Sequence, residues 1–174
     1  MAVSSPLIFV LDVPKGECAD FAALARAVAT RLEESGCVRP SWRNAVIFRE
    51  ERFPTGLPFE PPAAIPHADR EHTLRDAFVL ARLERPLAFG AMGDSDAAPL
   101  EVRLVVFIVA GKNASQVEAL ERLLSILGDG ARRERLEAGS AENARRSFEA
   151  MLEQLATLTT APDKPPHPRK PGQT

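Results

Sequence analysis

The chain has 174 residues, 45% of them hydrophobic, which is enough to bury the core of one domain. Its formal net charge is −2 and its pI is about 6.0, so it has no overall basic field with which to hold nucleic acid. The longest apolar run, Leu104–Ala110, is far shorter than the roughly 20 residues that cross a bilayer. With no export signal and no CxxC pair, these features predict a cytoplasmic protein that neither binds nucleic acid nor inserts into a membrane.

The N-terminal part of the chain predicts a strand and a helix. Leu7–Val13 is rich in Ile, Val and Leu and ends at Pro14, which is typical of a covered strand. From Phe21 to Leu32 the apolar residues recur at helical spacing. Asp20 is a suitable N-cap for this helix, and Gly36 closes its far end.

A second helix and a stiff loop follow. The helix is predicted from an N-cap at Ser41 to about Arg49. The segment Phe53–Pro66 contains five prolines and one glycine, which exclude a helix and favour an extended loop. A short apolar strand within it, Ala63–Pro66, leads directly to His67.

The second half of the chain predicts two strands and then helices. Ala77–Leu83 and Leu100–Val109 are the strands, and the second is so apolar that we expect it at the centre of a sheet. The helical segments are one that Ser115 caps and that ends near Leu127, a turn or two over Arg132–Leu136, and a last helix that Ser140 opens. Strands interspersed with helices predict a layered α/β domain over residues 1–158. The remaining residues, 159–174, are mostly proline and charge and are predicted to be a disordered tail.

His67 is the strongest candidate for chemistry among the three histidines. Pro66 fixes the backbone directly before it, so the imidazole is held at the edge of the predicted strand. A histidine that merely ends a strand at the surface is the alternative, and the local sequence leaves it open. His72 lies in a polar run and His167 lies between prolines, so both are predicted to be solvated bystanders.

Several common kinds of site are excluded or disfavoured. His67, Asp69 and His72 could suggest a metal, but no cysteine ligand follows and the spacing is not that of HExxH, so neither a metal nor a cofactor is predicted. The chain has no Gly-x-Ser-x-Gly elbow and no GxxxxGK phosphate loop. If the protein handles phosphoryl groups, they must therefore arrive from another protein.

A histidine that carries a phosphoryl group has identifiable needs. One imidazole nitrogen must be free, and the other must be held by a hydrogen bond that fixes the tautomer. A cation must also be near, because the phosphoryl group brings close to two negative charges. Arg49, which enters the loop leading to His67, is the candidate. Its alternative is a solvated arginine at a helix C-terminus.

Three motifs, in order along the chain, resemble the type-2 enzyme IIA domains of the bacterial phosphotransferase system. They are Arg49-Glu50, Phe53-Pro54-Thr55-Gly56-Leu57 and Ala64-Ile65-Pro66-His67. Later runs are similar to the galactitol branch: Leu83-Glu84-Arg85-Pro86-Leu87-Ala88-Phe89-Gly90-Ala91-Met92-Gly93, Val105-Val106-Phe107 and Gln116-Val117-Glu118-Ala119-Leu120. The likeness covers about residues 5 to 155.

The resemblance implies a single layered domain with a mixed β-sheet flanked by helices. It implies that His67 accepts a phosphoryl group from phospho-HPr and passes it to an enzyme IIB, with an enzyme IIC permease downstream, in the uptake of a galactitol-like sugar or sugar alcohol. Arg49 is then the charge partner of His67, and Thr55 and Glu50 are supporting residues. Mannitol and fructose relatives often have a second histidine where this chain has Gln116, so at this position only neutral hydrogen bonds are expected.

Two other functions stay open beside transport. The phosphorylation state of His67 could control docking onto a partner without any sugar moving, or the domain could be a scaffold that has lost phosphotransfer. The presence of both Arg49 and His67 argues against the scaffold. For a carrier we expect a small docking surface with Phe53, Leu57 and Phe59 near His67.

Overall fold

Strands and helices of the computed structural model are described for residues 5–111 and 116–159, with the backbone alone described for Gln116 and residues 157–159. The strands are β1 (Leu7–Val13), β2 (Gly56–Leu57), β3 (Ala63–Ala64), β4 (Ala77–Phe89) and β5 (Leu100–Val109). The helices are α1 (Phe21–Glu34), α2 (Trp42–Arg52), α3 (Gln116–Leu127), α4 (Gly130–Glu137) and α5 (Ala141–Thr159). A short 3-10 turn covers Arg70–His72.

The strands form one mixed sheet in the order β1-β4-β5-β3-β2. β1 runs parallel to β4 and β3 runs parallel to β5, whereas β4 and β5 are antiparallel, as are β2 and β3. The central position of β5 confirms the prediction from its apolar sequence, because Leu104–Val109 is buried throughout.

Helices cover both faces of the sheet and create two hydrophobic cores. On one face, α1 and α2 pack with Leu24, Val28 and Trp42 against sheet residues that include Phe107. On the other face, the side chains of α3, α4 and α5 pack against the alternate residues of β4 and β5, such as Leu80. This three-layer arrangement confirms the predicted α/β class.

The ends of most predicted elements are confirmed by their caps. The Asp20 side chain accepts the Ala23 N–H at 2.8 Å, and the chain leaves α1 through Gly36 at φ 67°. Ser140 Oγ accepts the Asn143 N–H at 3.2 Å at the start of α5. Ser115 and the predicted tail beyond Thr159 lie outside the described residues.

Two predictions of element bounds were wrong for identifiable reasons. β4 continues to Phe89 rather than ending at Leu83, because a register shift between Arg82 and Leu87 lets Pro86 sit where the antiparallel ladder is interrupted. α2 continues past Arg49 to Arg52 and ends before Phe53 and Pro54.

The expected side-chain cap of α2 is also absent. Ser41 precedes the helix, but its side chain makes no capping hydrogen bond, because its backbone is helical (φ −67°, ψ −20°) rather than extended as at an N-cap. Its hydroxyl lies 2.9 Å from His72 Nδ1.

Candidate functional site

His67 lies just beyond β3, beside the end of the central strand. The Ile108 N–H donates to the carbonyl oxygen of Pro66 at 3.0 Å, and His67 itself forms an isolated bridge with Ile108. The residue before His67 is therefore tied to β5, the central strand of the sheet. The His67 side chain itself is half-buried.

The hydrogen bonding of the His67 ring distinguishes its two nitrogens. Nδ1 lies 3.0 Å from the carbonyl oxygen of Ile65, and since a carbonyl only accepts, Nδ1 carries the proton. In the neutral ring this leaves a lone pair on Nε2. Burial lowers the pKa of His67 below its ordinary value of 6.5, and the charge of Arg49 lowers it further, against the Ile65 hydrogen bond and the charge of Asp69. The imidazole is therefore neutral at pH 7 and is nucleophilic at Nε2.

Arg49 brings a guanidinium to the same place. Its Nη1 donates to Asp69 Oδ1 at 3.1 Å, and its side chain is 33% exposed. Its Nε–H is buried without an acceptor in the part of the chain that the structure describes. Arg49 therefore has donor capacity that the folded chain does not use, next to a histidine that its charge influences.

Glu50 and Thr55 form a buried clamp between α2 and the following turn. The two carboxylate oxygens of Glu50 accept from the Thr55 N–H at 2.8 Å and from the Thr55 hydroxyl at 2.7 Å. Burial raises the pKa of Glu50, whereas these two hydrogen bonds and the charge of Arg49 lower it. Both donors aim at acceptor oxygens, which is the arrangement that an ionised carboxylate requires.

The turn that carries Thr55 is packed so closely that it needs glycine. A Cβ on Gly56 would collide with the Gly90 carbonyl oxygen, and a Cβ on Gly90 would come within 2.8 Å of Pro54. The Gly56 N–H donates to the Gly90 carbonyl at 3.0 Å, and Gly56 accepts from the Met92 N–H at 2.8 Å. The close approach explains why glycine stands in both motifs.

A chain of hydrogen bonds connects the clamp to the imidazole. The carbonyl oxygen of Thr55 accepts the Ile65 N–H at 3.3 Å, and the Ile65 carbonyl oxygen accepts from His67 Nδ1. Glu50 thus fixes Thr55, which fixes Ile65, whose carbonyl orients the His67 ring. Neither Glu50 nor Thr55 has a hydrogen bond to His67 itself.

The structure therefore brings Arg49, Glu50, Thr55 and His67 into one cluster. Gln116 starts α3, but its side chain lies outside the described residues, as does His167. Sequence reasoning weighed Asp69 only as a metal ligand and missed that it holds Arg49. Its opposite charge just beyond His67 was the available signal.

Two expectations about neighbouring residues were wrong. The first is that Leu57 lines a docking surface. Leu57 is 5% exposed because it joins the core beneath α3 to α5. The second is that His72 is freely solvated. Its Nδ1 bonds to Ser41 Oγ, and its side chain is only 21% exposed.

Two phenylalanines near the site are exposed. Phe53 is 63% exposed beside Arg49, and Phe48 on α2 is exposed to a similar extent.

Within residues 5–111 and 116–159, no group of three or more His, Cys, Asp or Glu side chains is placed to hold a metal ion. The cluster around His67 offers an imidazole, a guanidinium and one buried carboxylate that Thr55 already occupies. Its chemistry is that of a neutral nucleophile beside a fixed cation.

Residues 14–157 match the family model described as phosphoenolpyruvate-dependent sugar phosphotransferase system, EIIA 2. The chain belongs to this family. The match confirms the resemblance seen in the motifs and includes every residue of the cluster. The family consists of phosphotransferase components.

Curated EIIA relatives agree with the match. The galactitol-specific EIIA components of the phosphotransferase system from Escherichia coli K12 and from Escherichia coli O157:H7 are each 32% identical over 102 residues. These residues are 58% of this chain and 66% of each relative, so the match spans slightly less than two thirds of those proteins.

Solved EIIA structures share the fold. The Escherichia coli complex of enzyme IIA for mannitol with phosphorylated enzyme IIB matches with a TM-score of 0.62 and 22% identity, over 88% of this chain and 98% of that one. The nitrogen regulatory protein IIA-Ntr from Neisseria meningitidis matches with a TM-score of 0.59 and 24% identity, over 83% and 92%. Among the described helices of this EIIA chain, none is both long and apolar enough to cross a membrane.

Proposed function

We propose that this EIIA protein carries a phosphoryl group on Nε2 of His67. The observation that supports this most directly is the hydrogen bond from Nδ1 to the Ile65 carbonyl, which assigns the proton to one nitrogen and the lone pair to the other. A histidine that only ended a strand would have no need of a fixed tautomer. The lowered pKa keeps this lone pair available at neutral pH.

In the proposed reaction, the Nε2 lone pair attacks the phosphorus of a phosphohistidine on the donor protein. The new N–P bond forms as the donor's own N–P bond breaks, and the donor imidazole leaves with that electron pair. His67 gains positive character as the bond forms, and the Ile65 carbonyl stabilises the Nδ1–H that bears part of it. Transfer onward is the same displacement, with His67 as the leaving group and a side chain of the acceptor as the nucleophile.

Arg49 is proposed to bind the oxygens of the phosphoryl group in transit. The Arg49 side chain is 33% exposed, and a guanidinium can bind two phosphoryl oxygens with charge-assisted hydrogen bonds. Asp69 holds the guanidinium in the absence of phosphate through a bond at 3.1 Å. Because the Asp69 side chain is 69% exposed, the contact is easily exchanged for a phosphoryl oxygen.

Glu50 and Thr55 are proposed as positioning residues, since they reach the ring only through Ile65. Gln116 is kept as a proposed neutral hydrogen-bond partner near the start of α3. No cofactor or metal enters the proposed reaction.

The proposed donor is phospho-HPr, the proposed acceptor is an enzyme IIB, and an enzyme IIC permease stands downstream. A galactitol-like sugar or sugar alcohol is the proposed cargo, supported by the names of the curated relatives. We place this relay in the cytoplasm, without nucleic acid and without insertion into a membrane. The regulatory alternative needs the same His67 chemistry but no acceptor.

We propose that the partners dock over Phe53, which follows α2 beside Arg49 and is 63% exposed, and over Phe48 of α2, which is 58% exposed. Exposed aromatic side chains near arginines are typical anchors of protein interfaces. Phe53→Asp should raise the KM for phospho-HPr about tenfold, whereas Leu74→Asp, at a leucine that is 54% exposed and follows the 3-10 turn, should not. Equal KM values for the two variants would remove this surface from the proposal.

Incubation with phosphoenolpyruvate, enzyme I and HPr, followed by intact mass, tests the central proposal. We expect a gain of one acid-labile phosphoryl group in the wild type and none in His67→Ala. Addition of a cognate enzyme IIB should then remove the group. Uptake without any onward transfer would favour the regulatory function, and no uptake from a cognate HPr would refute the carrier.

A further inference from the structure

Arg133 on α4 is deeply buried, and its guanidinium donates four hydrogen bonds. It is 3% exposed, and no other arginine in the described ranges is as deeply buried. Its Nε and Nη2 donate to Glu137 Oε1 at 3.0 and 2.9 Å. Its Nη2 also donates to the Pro62 carbonyl at 3.0 Å, and its Nη1 donates to the Pro61 carbonyl. One guanidinium therefore joins α4 to the loop that precedes β3.

The composition of that loop explains why an arginine is needed there. Pro58, Pro61 and Pro62 have no N–H groups, so this part of the loop is anchored chiefly through its carbonyl oxygens. A carbonyl needs a donor, and a guanidinium supplies five N–H groups in a rigid fork. A lysine could not reach both carbonyls and Glu137 with the same geometry.

The anchored carbonyls lie directly upstream of the site. Pro62 is followed by β3, which has only two residues, and then by Ile65, whose carbonyl orients His67. Downstream, the Ile108 N–H fixes the Pro66 carbonyl. The segment that carries His67 is thus held on one side by the sheet and on the other by Arg133.

We infer that Arg133 is a positioning residue for His67, which acts by fixing the loop that places the Ile65 carbonyl. The inference rests on the proposed carrier function of His67. Arg133 has no contact with His67 in the structure, so its influence on the ring passes through the backbone of residues 61–65. Loss of the fork removes the donors of the Pro61 and Pro62 carbonyls and frees the loop to shift.

Arg133→Met and Arg133→Lys test this inference, with Arg132→Met as the matched control. Arg132 is the neighbouring residue of α4, but its guanidinium bonds to Ser125 rather than to the loop. Thermal unfolding identifies variants that remain folded at the assay temperature. Ring ¹⁵N NMR then reports the tautomer of His67, and a timed assay with phospho-HPr reports its phosphorylation.

In Arg133→Met we expect a smaller fraction of the Nδ1–H tautomer and phosphorylation at least about tenfold slower, because a displacement of about 1 Å can cost up to 100-fold. Arg133→Lys should fall between Arg133→Met and the wild type, and Arg132→Met should match the wild type. A folded Arg133→Met with an unchanged His67 tautomer and an unchanged rate would overturn the inference. Failure of the wild type to accept phosphate would refute the carrier, whereas the NMR comparison would still decide whether Arg133 positions the ring.

Discussion

His67 and His72 lie on the same stretch of chain but in opposite settings. The Nδ1 of His67 bonds to a backbone carbonyl, and no protein group is hydrogen-bonded to its Nε2 in the described structure. The Nδ1 of His72 lies 2.9 Å from the Ser41 hydroxyl, and its Nε2 lies 3.4 Å from Glu71 Oε1. Both nitrogens of His72 thus face side chains that can rotate, whereas one nitrogen of His67 is held by the backbone and the other is available.

The comparison teaches what makes a histidine a carrier. A hydroxyl both donates and accepts, so Ser41 leaves the tautomer of His72 unassigned, and Glu71 competes with any incoming phosphoryl group. A carbonyl only accepts, so Ile65 leaves one tautomer for His67. The neighbouring charges also differ, because the positive charge of Arg49 acts on His67, whereas the negative charge of Glu71 lies beside His72.

The largest expected effect on phosphorylation comes from replacing His67, with the replacement of His72 as the control. His67→Gln should abolish phosphoryl uptake, whereas His72→Gln should leave the rate within about twofold, because of these two described rings only His67 has a nitrogen free for attack. Phosphorus NMR of the phosphorylated wild type should place the group on Nε2. A phosphoryl group on His72, or on Nδ1 of His67, would show that the hydrogen bonds of the two rings do not determine which nitrogen is phosphorylated.

Removal of the cation should have the next largest effect. We expect Arg49→Met to slow phosphorylation by about 10²- to 10³-fold and Arg49→Lys to recover only part of it, because a point charge cannot reproduce the fork. Arg43→Met is the matched control, since Arg43 on the same helix is exposed to a similar extent and pairs with Glu33 of α1 at 3.1 Å. Equal rates for the two methionine variants would show that Arg49 is a surface arginine, which the sequence alone had left open.

Those parts of the fold that follow from hydrophobic patterning were predictable. β1, β5 and α1 were found within a residue or two, since each follows from periodicity and local caps. The end of β4 was not, because a sheet ladder can resume beyond an interruption such as Pro86, and only the partner strand shows this. Pairing across the sheet is non-local information that one segment does not contain.

The site, like the fold, could be predicted from the sequence only in part. The motifs contained Arg49, Glu50, Thr55 and His67, but not the contacts that relate them. The decisive acceptor for His67 is a backbone carbonyl, which any residue at position 65 would supply and which therefore leaves no mark in the sequence. Arg133 reaches the loop from a helix that is distant in sequence, so only the folded chain reveals it.

A smaller effect is expected from loosening the clamp behind His67. Thr55→Val removes the hydroxyl that donates to Glu50 at 2.7 Å and leaves a buried carboxylate oxygen short of a donor. We expect a loss of about 1–3 kcal/mol in the free energy of unfolding. Phosphorylation should slow by less than in Arg49→Met, since the Thr55 backbone still accepts from Ile65. Thr55→Ser, which keeps the hydroxyl, should recover most of both losses in denaturant unfolding and in the timed assay.

The smallest expected effects are shifts in the titration of His67. Burial and Arg49 lower its pKa below 6.5, so the folded protein binds fewer protons than the unfolded chain below that pH. Stability therefore falls as the pH drops from about 6.5 through the folded pKa, and above 6.5 this histidine contributes no further change. His67→Gln should remove this part of the pH dependence, whereas His72→Gln should keep it.

The charges of Arg49 and Asp69 shift the pKa of His67 in opposite directions. Asp69→Asn should lower the pKa of His67 further, because the Asp69 charge favours the imidazolium. Arg49→Met should raise it, because the guanidinium disfavours the imidazolium. Ring NMR titrations of the two variants measure both shifts directly. If the two pKa values moved in the same direction, Asp69 would act on His67 only by holding Arg49, and its own charge would have no direct effect on the ring.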